Sequence, residues 1–176
     1  MGSLWKNRTY DRVTMHGGKE LSNLPIMPIP DEYCMYLTRD HFVAYMEKYA
    51  RRFNIQPQFY QTVESASFSQ ETGRWNFIAR CSLDNSEKEY HERFLVVATG
   101  EFSEKFMPDV PGLDSFRGTV IHSIDYKNEK DFEGNRVLIV GSGNSGMEIA
   151  LDLVKNEPGP RPSMVVRSPV KICQNP

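Results

Sequence analysis

Residues 137–146 constrain the fold of this chain more than any other stretch of its 176 residues. Four apolar residues, Val137 to Val140, predict a buried strand, and a Gly-Ser-Gly-Asn-Ser-Gly turn follows them directly. A helix is predicted from that turn to about Lys155, with a buried stripe formed by Met147, Ala150, Leu151 and Val154. A glycine-rich turn between a strand and a helix is typical of a dinucleotide-binding domain. The sequence therefore predicts an α/β fold.

Each glycine of the turn has a physical reason for its position. Gly141 permits a tight turn from strand to helix, and Gly143 lets the backbone approach a pyrophosphate. Gly146 allows the helix to pack closely on the strand. Free amides at the helix start then face the anion, so the predicted binding residues are Gly141, Ser142, Gly143, Asn144, Ser145 and Gly146. The alternative is a tight turn that binds no ligand.

The end of the next strand, predicted at residues 164–166, decides which dinucleotide binds. An NAD-dependent enzyme carries Asp or Glu at that point, where the carboxylate binds the ribose 2′-hydroxyl. Here Arg167 and Ser168 follow the strand instead. A guanidinium favours the 2′-phosphate of NADP through charge-assisted hydrogen bonds, so we predict an NADP site that includes both residues. The alternative is that Arg167 only ends a strand at the surface.

The first part of the chain predicts a loop and one helix. Residues 5–30 are rich in turns and spaced prolines, which predicts an ordered loop or edge outside the core. Thr38 is a good N-cap for a helix of about 15 residues. The apolar side chains that recur at helical spacing along it are Phe42, Tyr45, Met46, Tyr49 and Phe53. Such a stripe indicates core packing.

An alternation of apolar and polar residues then predicts a three-stranded antiparallel meander over residues 59–68, 75–82 and 88–97. The last of these strands ends in Phe94-Leu95-Val96-Val97, which is apolar enough to predict entry into a buried sheet. Residues 101–114 contain spaced prolines and predict a connection between domains. Three further prolines are expected to end the second helix: Pro158, Pro160 and Pro162.

Composition argues against several classes of partner. A net charge of −2 and a pI near 6.1 give no basic excess, so we expect no nucleic-acid partner. The three cysteines include no CxxC pair, which leaves a zinc site or a dithiol redox centre without support. No apolar run reaches the roughly 20 residues of a membrane helix, and the N-terminus lacks the apolar core of a signal peptide. We therefore expect no metal, no membrane span and a cytoplasmic location.

A second motif lies just upstream of the glycine-rich turn. Phe116, Gly118, His122 and Tyr126 form the pattern FxGxxxHxxxY. This pattern, followed by GxGNSG, resembles the identifying sequence of the class B flavin monooxygenases. The related Baeyer–Villiger enzymes usually carry Trp in place of the tyrosine, so Tyr126 argues against that branch. The resemblance makes the four residues candidate site residues.

Further segments resemble the plant YUCCA branch of that class, namely residues 3–6, 10–12, 24–28, 49–53, 62–65, 147–149 and 163–167. YUCCA enzymes convert indole-3-pyruvate to indole-3-acetate, the auxin, with FAD, NADPH and dioxygen. The resemblance therefore implies FAD and NADP as cofactors, and indole-3-pyruvate or a similar small molecule as substrate. It also implies that the flavin performs the chemistry, so we predict no catalytic side chain.

The resemblance implies a flavin side of the site as well. By position, Leu4 and Trp5 would contact FAD. His16 would stand near the flavin, where many relatives have Asn. The segment Ala98-Thr99-Gly100 resembles the point at which these chains pass between the flavin and NADP domains. We expect these residues to approach FAD.

The resemblance also implies a domain organisation. Residues 1–113 would be the remainder of a flavin domain that lacks its first glycine motif, and residues 114–176 would be part of an NADP domain. We therefore expect a fragment of a two-domain flavoprotein, truncated at both ends, which holds no stoichiometric FAD and is inactive alone. Three alternative hypotheses remain: a non-catalytic module that binds NADP or a partner, a disulfide reductase, and a flavin monooxygenase that oxygenates amines or sulfides. The missing CxxC counts against the reductase.

Overall fold

The computed structural model describes residues 2–102, 104–155 and 159–168. The chain forms two compact units, residues 50–103 and residues 1–49 together with 104–176. Its helices and strands are α1 (Ser3–Asn7), α2 (Arg39–Arg52), α3 (Asn144–Val154), β1 (Gln61–Ser69), β2 (Arg74–Cys81), β3 (Glu87–Glu92), β4 (Leu138–Val140) and β5 (Ser163–Val165). Short 3-10 helices lie at Lys19–Leu21, Leu113–Ser115, Ser123–Asp125 and Glu129–Phe132. The predicted α/β class is confirmed.

The helix α2 begins where the sequence predicts. The Thr38 hydroxyl accepts a hydrogen bond from the His41 amide at 3.3 Å, which satisfies one of the free donors in the first turn. Tyr45 is buried in a cluster with Leu37, and the half-buried Phe42 and Tyr49 pack against that cluster. The prediction that the stripe packs into a core is therefore confirmed for Phe42, Tyr45 and Tyr49.

Phe53 does not belong to the helical stripe. The helix ends at Arg52, and Phe53 is exposed beyond it. Asn54 has a positive φ of 48°, a left-handed conformation that Asn tolerates and that commonly follows the end of a helix. This conformation turns the chain away from the helix axis.

The prediction that residues 5–30 lie outside the core is wrong in part. The buried side chains of this stretch are Tyr10, Val13, Met27 and Ile29. The Tyr45 hydroxyl accepts a hydrogen bond from the Leu24 amide at 2.8 Å and donates one to the Met27 carbonyl at 2.6 Å. Irregular backbone can enter a core when its polar groups find partners in this way. Prolines block helix here without preventing burial.

The strands β1, β2 and β3 form the predicted antiparallel meander, in that order. Gly73 has a φ of 63° in the turn between β1 and β2, where glycine meets no steric penalty. A bulge between Val63 and Ser65 shifts the register of β1 against β2. Three aromatic rings line one face of the sheet, since Trp75 contacts both Phe68 and Phe77.

The third strand is shorter than the sequence predicts. It ends at Glu92, and residues 94–97 form no strand. Phe94, Val96 and Val97 are 78%, 82% and 74% exposed, so the predicted entry into a buried sheet is wrong. A strand needs a neighbour for its backbone hydrogen bonds, and no strand among the described residues pairs with this segment.

The strands β4 and β5 pair in parallel, with Ile139 opposite Met164, and α3 connects them. The buried residues of α3 are Ile149, Asp152 and Leu153, and Ala150 packs half-buried against the same cluster. The rest of the predicted stripe is wrong, because Met147, Leu151 and Val154 are 43%, 48% and 42% exposed. The helix has apolar residues on more than one face, so periodicity alone does not select the face that packs.

The segment predicted to connect two domains is largely irregular, and its role as a connection stays a prediction. The described residues of 101–114 contain neither helix nor strand before the 3-10 helix at Leu113–Ser115. The helix α3 ends at Val154, while Pro158, which was expected to help end it, lies outside the described residues. Within the described ranges, no helix is both long enough and apolar enough to cross a membrane.

Candidate dinucleotide site

The glycine-rich turn joins β4 to α3 with the geometry that the sequence requires. Gly141 has a φ of 115°, a conformation in which any side chain would be strained. Its amide donates a hydrogen bond to the Val165 carbonyl at 2.9 Å, so the turn is fixed to the end of β5. The start of the turn is therefore rigidly placed at the carboxyl edge of the parallel strand pair.

The other two glycines of the turn face different surroundings. A Cβ on Gly146 would lie 2.6 Å from the Gly141 carbonyl oxygen and 3.6 Å from a methyl group of Ile139. Only glycine lets α3 approach the strand this closely. A Cβ on Gly143 would meet no atom within 4 Å, so the space in front of this residue is open. The turn thus combines one tightly packed glycine with one open glycine.

The start of α3 presents backbone donors to that open space. Gly143 is the N-cap, with extended backbone and no side-chain cap. The Met147 amide donates to the Gly143 carbonyl at 3.1 Å. The amides of Asn144, Ser145 and Gly146 come before it in the helix, so they have no acceptor within the helix. With the positive end of the helix dipole, these donors suit an anionic group such as a diphosphate.

Arg167 lies at the same edge of the sheet as the turn. Because β4 and β5 run parallel, their carboxyl ends meet at one edge. Gly141 follows β4 directly, and Arg167 and Ser168 follow β5 after Val166. Both residues are exposed. The parallel pairing therefore places the turn and Arg167, which the sequence predicts to bind one ligand, at the same edge of the sheet.

The residues of the FxGxxxHxxxY motif make local packing and hydrogen-bond contacts. A Cβ on Gly118 would lie 2.5 Å from the ring of Phe116, so the aromatic ring covers the glycine. The His122 ring accepts a hydrogen bond from the Ile124 amide at 3.2 Å and caps a 3-10 helix. Tyr126 is 3% exposed and stacks on Phe132 at 5.6 Å. These contacts order the segment that leads into β4.

Tyr126 contacts Asp152, which is not among the site residues predicted from the sequence. Its hydroxyl donates a hydrogen bond to Asp152 Oδ2 at 2.7 Å, and Arg12 Nη1 donates to Asp152 Oδ1 at 3.1 Å. Asp152 is 4% exposed, so this carboxylate lies buried in α3 between two donors. The available signal was an acid within the run Ile149–Val154, whose other residues are all apolar, because a buried charge requires partners.

Burial at this cluster changes the ionisation of two tyrosines. Burial, assisted by the hydrogen bond to Asp152, raises the pKa of Tyr126 far above its usual value. Burial and the nearby Glu148 raise the pKa of Tyr10 to about 12. Both phenols therefore stay neutral at about pH 10, where a free tyrosine ionises, and Tyr126 keeps the proton that it donates to Asp152.

The residues expected on the flavin side lie in both units. Trp5 in α1 packs its ring against Phe42 with centroids 4.7 Å apart, while Leu4 is 37% exposed. His16 Nε2 lies 3.9 Å from Glu148 Oε1 of α3. Ala98, Thr99 and Gly100 belong to the other unit, where Gly100 has a φ of 85°. Their approach to FAD stays a prediction.

The described residues contain no cluster of three metal-binding side chains. What they do contain is a parallel strand pair, a glycine turn with open space in front of Gly143, and a helix that starts from it. These features are typical of the α/β fold of dinucleotide-binding proteins. The chain belongs to the flavin-binding monooxygenase-like family, whose model matches residues 4–159. The resemblance carried by FxGxxxHxxxY and the glycine turn is thereby confirmed.

Two curated relatives make the similarity more specific. The chain is 48% identical over 173 residues to the probable indole-3-pyruvate monooxygenase YUCCA9 of Arabidopsis thaliana. It is 45% identical over 172 residues to the indole-3-pyruvate monooxygenase YUCCA1 of Oryza sativa subsp. japonica. Each match covers 98% of this chain and 40% or 41% of the relative, so the chain spans about 40% of the length of these relatives.

A solved structure supports the fold. The flavin-containing monooxygenase from Stenotrophomonas maltophilia aligns with 94% of this chain at a TM-score of 0.80 and 25% sequence identity. The alignment covers 47% of that protein. The arrangement of strands and helices described here is therefore part of a larger flavin monooxygenase architecture.

Proposed function

We propose that this chain supplies the NADP-binding turn of an NADPH- and FAD-dependent monooxygenase. The observation that supports it most is the pairing of an open Gly143, in front of the free amides of α3, with Arg167 at the same sheet edge. In this proposal the amides bind the diphosphate, and Arg167 binds the 2′-phosphate through charge-assisted hydrogen bonds. The division into a flavin part, residues 1–113, and an NADP part, residues 114–176, belongs to the same proposal.

The flavin supplies the oxygen chemistry when it is bound. The residues of this chain then have binding and positioning roles, and we assign none of them as a protein acid, base or nucleophile. For Leu4, Trp5, His16 and the segment 98–100, we propose contact with FAD. The support is their position in a chain that matches a flavin-binding family over most of its length. The cytoplasmic location and the absence of a nucleic-acid partner stay predictions from the sequence.

For the whole enzyme we propose indole-3-pyruvate as the substrate. Two relatives at 45% and 48% identity carry that activity in their names. In the balanced reaction, indole-3-pyruvate, dioxygen, NADPH and a proton give indole-3-acetate, carbon dioxide, water and NADP+. NADPH is oxidised, one oxygen atom enters the new carboxylate, and the other leaves as water. The bond that breaks is the one between the keto carbon and the original carboxylate.

A chimera tests this proposal. Residues 4–168 of this chain replace the matching segment of the Oryza YUCCA1 protein, and the product is assayed with indole-3-pyruvate, phenylpyruvate and a tertiary amine in competition. We expect preferential decarboxylation of the indole keto acid, with one NADPH consumed for each product. Oxygenation of the amine alone would contradict the substrate assignment and favour a general amine- or sulfide-oxygenating enzyme. Flavin that NADPH cannot reduce would contradict the cofactor assignment.

A further inference from the structure

The helix α3 packs against residues 10–16, which we call the 10–16 segment. Two acids of the helix face basic side chains of this segment. Arg12 Nη1 donates to Asp152 Oδ1 at 3.1 Å, and His16 Nε2 lies 3.9 Å from Glu148 Oε1. The two acids are four residues apart and therefore lie on the same face of the helix. The same face that packs against this segment thus carries two carboxylates opposite two basic side chains.

The position of Asp152 costs free energy of folding for two reasons. It lies in the last turn of α3, where the negative end of the helix dipole disfavours a carboxylate. It is also 4% exposed, and burying a charge costs free energy even when it is paired. An apolar side chain of similar size is often neutral or stabilising in such a position. Stability alone therefore does not account for an acid there.

The hydrogen bonds of Asp152 are directional, whereas apolar packing is not. An apolar cluster that includes Tyr10, Val13, Ile149 and Leu153 already holds the segment on the helix. Apolar burial is non-directional, so it tolerates sliding of one surface over another. The hydrogen bonds from Arg12 and Tyr126 reach the two separate oxygens of one carboxylate. Charge-assisted bonds of this kind fix geometry as well as distance.

We propose that Asp152 is a positioning residue, which sets the register of the 10–16 segment on α3 and so aligns bound NADPH with the flavin. The inference rests on the proposed function, because His16 in this segment is expected beside the flavin and α3 starts at the dinucleotide turn. In this proposal Asp152 contacts neither cofactor. It acts through Arg12 and Tyr126.

The first test uses the chimera and the variant Asp152→Asn, which keeps the side-chain shape but removes the charge and leaves one oxygen to accept where two accepted from Arg12 and Tyr126. We expect the rate of flavin reduction at saturating NADPH to fall about tenfold or more, since small misplacements of reacting atoms cost rate steeply. The NADPH dissociation constant should change less than about twofold, because the turn at the far end of α3 is untouched. Glu47→Gln, which removes an exposed acid paired with Lys6, is the matched control and should leave both values unchanged.

A double variant separates this role from a general loss of stability. If Asp152 acts through Arg12, then Arg12→Gln combined with Asp152→Asn should be no slower than either single variant, because contacting residues are non-additive. An unchanged reduction rate for each bound flavin in Asp152→Asn, even with a lowered melting temperature, would overturn the proposal. A parent chimera that NADPH cannot reduce would instead contradict the proposed function.

The 176-residue chain provides a second test that needs no flavin. It contains two tryptophans, so Trp75→Phe leaves Trp5 as the only one. Trp5 packs against the cluster that holds the segment on α3, which makes it a reporter of the register. In Asp152→Asn we expect less energy transfer from Trp5 to bound NADPH at saturation, with affinity retained. Equal transfer in both proteins would overturn the proposal, and no NADPH binding in the parent would contradict the proposed function.

Discussion

Replacing Gly143 by Ala is expected to lower the affinity of the chain for NADP+ by about a hundredfold or more, since bonds from two or more amides to the diphosphate would be lost. The new methyl group would enter the open space where the anion is proposed to lie. The backbone of Gly143, with a φ of −70°, accepts alanine without strain, and the weaker N-cap costs less than about 1 kcal/mol. Calorimetric titration with NADP+, alongside thermal unfolding, measures both effects.

Gly146→Ala is the matched comparison, and we expect it to lower the stability of the fold more than the affinity for NADP+. Its Cβ would lie 2.6 Å from the Gly141 carbonyl oxygen, which is backbone and cannot rotate away. Overpacking of this kind costs roughly 1–3 kcal/mol, so the thermal unfolding midpoint should fall clearly. If Gly143→Ala bound NADP+ normally, the open face of the turn would not be a diphosphate site. If Gly146→Ala were as stable as the parent, the close packing of α3 would be contradicted.

Arg167→Ala should change the choice of cofactor in the chimera. Loss of a charge-assisted contact to the 2′-phosphate costs about 1.5–3 kcal/mol, which corresponds to a ten- to hundredfold fall in kcat/KM with NADPH. Use of NADH, which lacks that phosphate, should stay nearly unchanged. Steady-state oxidation of the two cofactors gives the ratio directly.

A neighbouring arginine controls for general charge effects. Arg161 is exposed and precedes β5, so it lies toward the opposite end of the strand from Arg167. Arg161→Ala should leave the ratio of NADPH to NADH use unchanged. Equal losses with both cofactors in Arg167→Ala would mean that this residue supports the strand and does not recognise the phosphate.

The glycine-rich turn could be predicted because the backbone geometry that it requires is local. The φ of Gly141, the close contact at Gly146 and the helix that starts at Asn144 all arise within a few residues of each other. A glycine pattern between a strand and a helix therefore carries the geometry in its own sequence. The next strand was predicted one residue too late, at residues 164–166, whereas β5 spans Ser163–Val165.

The polar cluster around Asp152 could not be located in the same way. Its donor Arg12 is 140 residues away in sequence, and Tyr126 is 26 residues away. Pairing over such separations depends on tertiary packing. The face of α3 was misjudged for the same reason, because the choice between Ile149 and Met147 depends on which elements lie against the helix.

The apolar run at residues 94–97 shows a different limit. Its composition indicates a buried strand, but strand formation also requires a neighbour, and none of the described strands pairs with it. The burial of Tyr10 and Val13 in an irregular segment is the converse case, in which tertiary contacts replace regular structure. Local pattern predicts a tendency, and the packing partners decide whether it is realised.

Calorimetric titration of the unmodified 176-residue chain with NADP+ and with NAD+ tests the central claim most directly. That claim is that residues 141–146, together with Arg167 and Ser168, form an NADP site. We predict a single site for NADP+, with an affinity at least about tenfold higher than for NAD+ because of the 2′-phosphate contact. The preference should decrease in high salt, as expected for a charge contact at an exposed arginine. Equal affinity for both dinucleotides, or no NADP+ binding by a chain that unfolds cooperatively, would contradict this account.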